Sequence, residues 1–160
     1  LIGFMGSGKS TVGRNLSQKI GCDFIDLDEL IVKKHRLSIP EIFELYGEKQ
    51  FRDWETEALY SLSGKCGLVI ASGGGAPVQP ENRDFFIKDA FTVYLEISFE
   101  EFLKRSGGDP GRPLLSMPQE KLKALFQARL PVYRKLGNTL TTDKKRPEEI
   151  EKDIIKLLDW

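Results

Sequence analysis

At 160 residues the chain has the length of one domain, and 40% hydrophobic with 30% charged residues is the composition of a globular protein with its own core. Lys plus Arg and Asp plus Glu both number 24, a zero net charge that argues against nonspecific binding to nucleic acid or an anionic membrane and makes any basic cluster a local anion site. No apolar run approaches the length of a membrane span, and Cys22 and Cys66 lack metal or disulfide-framework spacing, a pattern that predicts buried, reduced thiols and a cytoplasmic protein.

The chain opens on Leu1 and Ile2 and runs at once into Gly3-Phe4-Met5-Gly6-Ser7-Gly8-Lys9-Ser10, which fits G-x-x-x-x-G-K-[ST] at every fixed position. In such a loop the backbone N–H groups cradle phosphates, Lys9 reaches the β- and γ-phosphates, and the Ser10 hydroxyl ligates Mg²⁺. A buried strand is expected ahead of the loop, so several more residues are expected before Leu1. Val12, Leu16 and Ile20 form the apolar stripe of a helix that Gly21 stops. A short strand over 22–25 ends at Asp26-Leu27-Asp28, and a helix follows over 29–35. His35 sits among Lys33, Lys34 and Arg36, the pattern of a solvated face. Ser38 and Glu41 have capping-box spacing and start a helix that Gly47 interrupts; a second helix covers 48–63 until Gly64.

The apolar run 68–71 reads as a parallel strand buried on both faces, and it breaks into Ser72, Gly73, Gly74 and Gly75. A helix over 80–88 leads to a strand over 91–97, and Ser98 with Glu101 caps a helix to about Arg105. Residues 106–117, with three Gly and two Pro, are expected to form a mobile lid. A helix over 118–136 (kinked at Pro131), a strand over 139–141 and a helix over 147–158 complete the chain. Alternating strands and helices predict a single α/β domain, with a five-stranded parallel sheet and helices on both faces. Ligands of such sheets lie beyond the carboxyl ends of the strands, which aligns the phosphate loop, Asp26, Asp28 and the three glycines.

The strand over 68–71 ends without a carboxylate, so Asp26 is the candidate acid for Mg²⁺, and Asp28 is placed to meet an acceptor hydroxyl. Alternatively, either one merely caps the next helix. Arg52 and Glu55 are three residues apart on one helix, the ordinary spacing of a surface ion pair. With Arg129 and Arg112 as further cations, the same residues could instead grip a carboxylate. Gly73, Gly74 and Gly75 make either a tight turn or a surface that a small molecule can approach closely. Together these features predict a phosphotransferase acting on a small, hydroxylated, anionic acceptor. Neither the N-K-x-D guanine motif nor the L-S-G-G-Q transporter signature is present.

Several separated motifs resemble those of the shikimate kinases: the loop over 3–13 (GFMGSGKSTVG), Asp26-Leu27-Asp28, the block G-E-x-x-F-R-x-x-E from Gly47 to Glu55, Gly73-Gly74-Gly75, Arg112-Pro113-Leu114-Leu115 and Arg129-Leu130-Pro131-Val132-Tyr133. The resemblance spans nearly the whole chain. It implies a P-loop kinase fold with a substrate-binding insertion over about 29–63, and transfer of phosphate from ATP to the 3-hydroxyl of shikimate on the route to chorismate. It further implies that Gly6, Ser7, Gly8, Lys9, Ser10 and Thr11 hold ATP, and that Ser10 binds Mg²⁺ directly with Asp26 acting through its waters. By the same resemblance Asp28 holds the accepting hydroxyl and takes its proton. Arg52 and Arg129 bind the shikimate carboxylate, Glu55 steadies Arg52, and Gly73, Gly74 and Gly75 line the ring. Arg112 closes with the lid over the transferring group, while Arg105 and Arg146 contact the nucleotide. A cytoplasmic monomer with small-molecule partners is expected. The alternatives are a related gluconate or nucleoside-monophosphate kinase, and a nucleotide-dependent switch without phosphotransfer.

Overall fold

The computed structural model describes residues 1–106 and 116–158; of the lid expected over 106–117, residues 107–115, with Arg112, lie outside them. Helix α1 (Lys9–Ile20) buries the stripe of Val12 and Leu16 and ends at Gly21, whose N–H returns to the Ser17 carbonyl. Strand β1 (Asp23–Asp26) leads directly into α2 (Leu27–His35), capped by the Asp26 side chain. The box at Ser38 and Glu41 starts α3 (Ile39–Tyr60) with both of its reciprocal bonds formed. The two helices expected on either side of Gly47 are one run with a break: Gly47 has φ 79° and ψ 169°, a conformation essentially confined to glycine.

Strand β2 (Leu68–Ala71) pairs in parallel with β1, Asp23 opposite Leu68 and Asp26 opposite Ala71. Strand β3 (Val93–Glu96) is followed by α4 (Phe99–Ser106) and α5 (Gln119–Leu136), the latter running through Pro131. Strand β4 (Asn138–Thr141) pairs in parallel with β3, and α6 (Pro147–Leu158) closes the described chain.

Among the described residues the strands form two parallel two-stranded sheets rather than the expected single five-stranded sheet, with Leu1 and Ile2 between them. The Leu1 amine donates to Ile70 O and Leu1 O accepts from Ser72 N, while Ile2 bonds Val93 O and Leu95 N, both at 2.9 Å. Two residues supply one rung on each side, which is too little for a strand. The helix expected over 80–88 is present as one unbroken helical run, but an irregular one: 3₁₀ at Pro80–Asn82, α at 83–84 and π at Phe85–Asp89, after a separate 3₁₀ turn at Ala76–Val78. Side chains tie its two ends to the flanking segments: buried Asn82 donates to Ala76 O and Thr92 to Phe86 O.

Side chains alternate across the strands and separate the core into two layers. Val93 and Leu95 pack with Val12, Leu16, Val69, Ile150 and Ile154 under α1 and α6. Tyr94, between them, faces the other layer with Ile2, Phe4, Phe102, Phe126 and Tyr133, beneath α4 and α5. Helices therefore cover both faces, and the strand ends that face α2 and the phosphate loop are left to form a site. Among the described residues no helix is long and apolar enough to cross a membrane.

Candidate active site

The loop that precedes α1 is held by its own backbone and by Lys9. Gly8 occupies the left-handed N-cap (φ 94°), and its carbonyl accepts the Val12 N–H at 2.8 Å. The Lys9 ammonium donates to the Gly3 and Phe4 carbonyls, both at 2.9 Å, so the cation lies across the mouth of the loop. With the positive end of α1 behind it, this is an anion-binding cradle.

Asp26 does two things at once. One carboxylate oxygen accepts the N–H groups of Asp28 (3.1 Å) and Glu29 (3.3 Å) and so caps α2; the other accepts the Ser10 hydroxyl at 2.5 Å. Capping and metal binding, alternatives at the level of sequence, are compatible because they use different oxygens. Among the described residues no group of three or more His, Cys, Asp or Glu could enclose a metal ion. Ser10 and Asp26 instead suit a hard cation that keeps waters and phosphate oxygens as its other ligands, which is how Mg²⁺ binds nucleotides.

The acceptor side is built from α2, α3, α5 and the three glycines. Arg52 donates to Glu55 at 2.8 Å and to Glu48 at 3.3 Å. This is no surface pair: the Glu55 side chain is 0% exposed and that of Arg52 only 17%. Burial acts to lower the Arg52 guanidinium, but Glu55 and Glu48 outweigh it and hold it above its ordinary value. Burial raises the Glu55 carboxyl above the usual carboxylate range, Arg52 opposing and Asp28 adding to it.

At Gly73 and Gly75 these side chains press where a Cβ would stand, whereas at Gly74 a Cβ would make ordinary contacts. A Cβ at Gly73 would lie 2.6 Å from Glu55 Oε1 and 3.0 Å from Asp28 Oδ1, and one at Gly75 would overlap the Arg52 guanidinium. At Gly74 it would meet Arg129 Nη1 and Gly3 O at 3.4 Å and the Tyr133 hydroxyl at 3.5 Å. Arg129 is 8% exposed, and its guanidinium carbon stands 5.6 Å from the Phe4 ring centre. Arg52 Nε, Arg129 Nε and Glu55 Oε1 are buried polar atoms with no hydrogen-bond partner among the described residues. Such groups are costly unless a ligand satisfies them, and here they belong to three side chains gathered around Gly73, Gly74 and Gly75.

The nucleotide-side arginines differ. Arg105 bonds Glu101 at 2.9 Å, Thr142 O at 3.0 Å and Gly6 O at 3.4 Å, joining the phosphate loop to the segment after β4. The Arg146 side chain is 79% exposed and pairs with Glu149 of α6, which also accepts its backbone N–H, and among the described residues no hydrogen bond or ion pair joins it to the phosphate loop. Glu48 and Tyr133 stand inside the motifs read from the sequence but carry no role there, yet both touch this assembly. Their signal was spacing: Glu48 is one helical turn before Arg52, and Tyr133 one turn after Arg129.

A phosphate loop at the strand ends, facing two buried arginines and two carboxylates, defines an α/β phosphotransferase of the P-loop class. Comparison with known proteins narrows the class. A sequence profile described as Shikimate kinase matches residues 5–159. A shikimate kinase from Sulfurihydrogenibium is 41% identical over 155 residues, covering 97% of this chain and 93% of that protein. The solved shikimate kinase from Acinetobacter baumannii in complex with shikimate superposes with a TM-score of 0.93 at 39% identity, covering 98% of this chain and 89% of that one. The solved Aquifex aeolicus shikimate kinase gives a TM-score of 0.89 at 43% identity, covering 99% and 94%. The chain belongs to the shikimate kinase family.

Proposed function

We propose that this enzyme transfers the γ-phosphoryl group of ATP to the 3-hydroxyl of shikimate, giving ADP and 3-phosphoshikimate on the route to chorismate. The observation that carries the reading is the convergence of Asp28, Arg52, Glu55 and Arg129 on Gly73, Gly74 and Gly75, next to the first residue of the phosphate loop. Two fixed guanidinium groups suit a carboxylate, and the glycine wall accepts a flat ring without steric conflict.

In this reading the backbone of Gly6, Ser7 and Gly8, with Lys9, Ser10 and Thr11, holds the phosphates, and Lys9 stabilises charge on the transferring group. Ser10 would hold Mg²⁺ directly and Asp26 through the ion's waters, and the ion would supply positive charge to neutralise the phosphate oxygens. Asp28 orients the acceptor hydroxyl and takes its proton as the oxygen attacks. Arg52 and Arg129 fix the carboxylate, and Glu55, with Glu48 outside it, fixes the plane of Arg52. Arg105 sits on the nucleotide side between the loop and the segment after β4; Arg112 and Arg146 complete the nucleotide contacts by the family resemblance. We also read the two small sheets as halves of one five-stranded parallel sheet with Leu1 and Ile2 at its centre, because Leu1 bonds Ile70 and Ser72 on one side and its neighbour Ile2 bonds Val93 and Leu95 on the other. A cytoplasmic monomer suffices, since every group named comes from one chain and both substrates are small and charged.

The test is ADP release with ATP and Mg²⁺ against a panel of shikimate, gluconate, CMP and AMP. Shikimate alone should support turnover; release with another acceptor and none with shikimate would overturn the assignment.

A further inference from the structure

We propose that Tyr133 is a positioning residue for the acceptor half of the site: its hydroxyl holds the Gly74 carbonyl and thereby sets the glycine wall against Arg129 and Arg52. This rests on the reading of shikimate as acceptor. The Tyr133 side chain is fully buried, and its hydroxyl donates to Gly74 O at 2.5 Å. Burial pushes that hydroxyl up to about 12, although the Arg129 guanidinium pulls the other way. The phenol therefore keeps its single proton, and the proton goes to Gly74. Because the peptide is planar and trans, pinning the Gly74 carbonyl toward α5 turns the Gly75 N–H away from α5. Gly75 is the glycine that lies directly on Arg52.

Tyr133 also ties the two halves of the site together. Its oxygen, Arg129 Nη1 and Gly3 O all lie within 3.5 Å of the point where a Gly74 Cβ would stand, so Gly74 is clamped between α5 and the start of the phosphate loop. The ring is supported from behind by Tyr94, with centroids 5.2 Å apart. The Tyr94 hydroxyl is buried too but has no hydrogen-bond partner, which makes it an internal control with similar chemistry and no contact with the glycine wall.

Tyr133→Phe removes one oxygen and leaves the ring. It should raise KM for shikimate about threefold to tenfold, the effect of one lost hydrogen bond, while KM for ATP stays within about twofold. Tyr94→Phe should leave both constants near wild type. The rise in melting temperature on adding shikimate, read for each variant against its own ligand-free melt, should shrink for Tyr133→Phe alone; this readout works even if the variant is less stable. Unchanged KM and an unchanged shikimate-induced shift in Tyr133→Phe would overturn the proposal, as would an equal loss for both substrates or an equal effect of Tyr94→Phe. Wild-type enzyme that fails to turn over shikimate would overturn the functional reading itself, an outcome separate from a normal wild type with an unaffected variant.

Discussion

Asp26 and Asp28 stand two residues apart and differ in what they touch, and that difference has consequences that can be measured. Asp26 caps α2 with one oxygen and holds Ser10 with the other, whereas Asp28 lies against Gly73 beside Glu55. Asparagine caps helices about as well as aspartate, so Asp26→Asn should fold normally but need more Mg²⁺ for half-maximal rate. Asp26→Ala should in addition lose about 0.5–2 kcal/mol of stability with the cap. Asp28→Asn should leave the Mg²⁺ requirement unchanged and lower kcat strongly, since it removes the proton acceptor. Mg²⁺ titrations of initial rate on the three variants check this; the reverse pattern would exchange the two roles. At this scale the phosphate loop was legible because its spacing alone encodes its chemistry. The burial of Arg52 and Glu55 was not: their spacing reads as a surface pair, and only packing of α3 against α2 and the glycine segment removes them from water.

Among the elements, α3 depends most on a single backbone position. Gly47 breaks the helix between its capping-box start and the turns that carry Glu48, Arg52 and Glu55. A side chain at Gly47 would meet no atom within 4 Å, so any penalty there is purely conformational. Gly47→Ala should cost about 1–3 kcal/mol in urea unfolding, without a cavity or clash to explain it. A loss below about 0.3 kcal/mol would mean that the break relaxes into helix, in which case KM for shikimate should move with it, since Glu48 follows directly. Local signals located most elements within two or three residues: Ser38 with Glu41, Gly21, and the apolar run at β2. Over 80–88 the helix was legible but its irregular form was not: the run is 3₁₀ at Pro80–Asn82 and π at Phe85–Asp89, with Asn82 and Thr92 side chains bonded to carbonyls six residues away.

Across the whole molecule, a chain of zero net charge concentrates its chemistry at one end of its strands. The α1–α6 side is a structural layer: Glu151 is fully buried there, bonded to Lys19 and to Asn15. The opposite layer carries the acceptor site, with Arg52 between two carboxylates and Arg129 between Phe4 and Gly74. Alternation of strands and helices was enough to give the layers and the edge where ligands bind, but not the sheet, because only two residues stand where the central strand is needed. The central claim is that Arg52 and Arg129 together read a carboxylate, and the most direct measurement compares kcat/KM for shikimate with that for its methyl ester in wild type, Arg52→Ala and Arg129→Ala. Each arginine supplies charge-assisted bonds worth about 1.5–3 kcal/mol, so each variant should lose roughly 10- to 150-fold with shikimate. Wild type should reject the ester strongly, and both variants should discriminate far less. If both variants still reject the ester as strongly as wild type does, neither arginine reads the carboxylate and the account of the acceptor site is wrong.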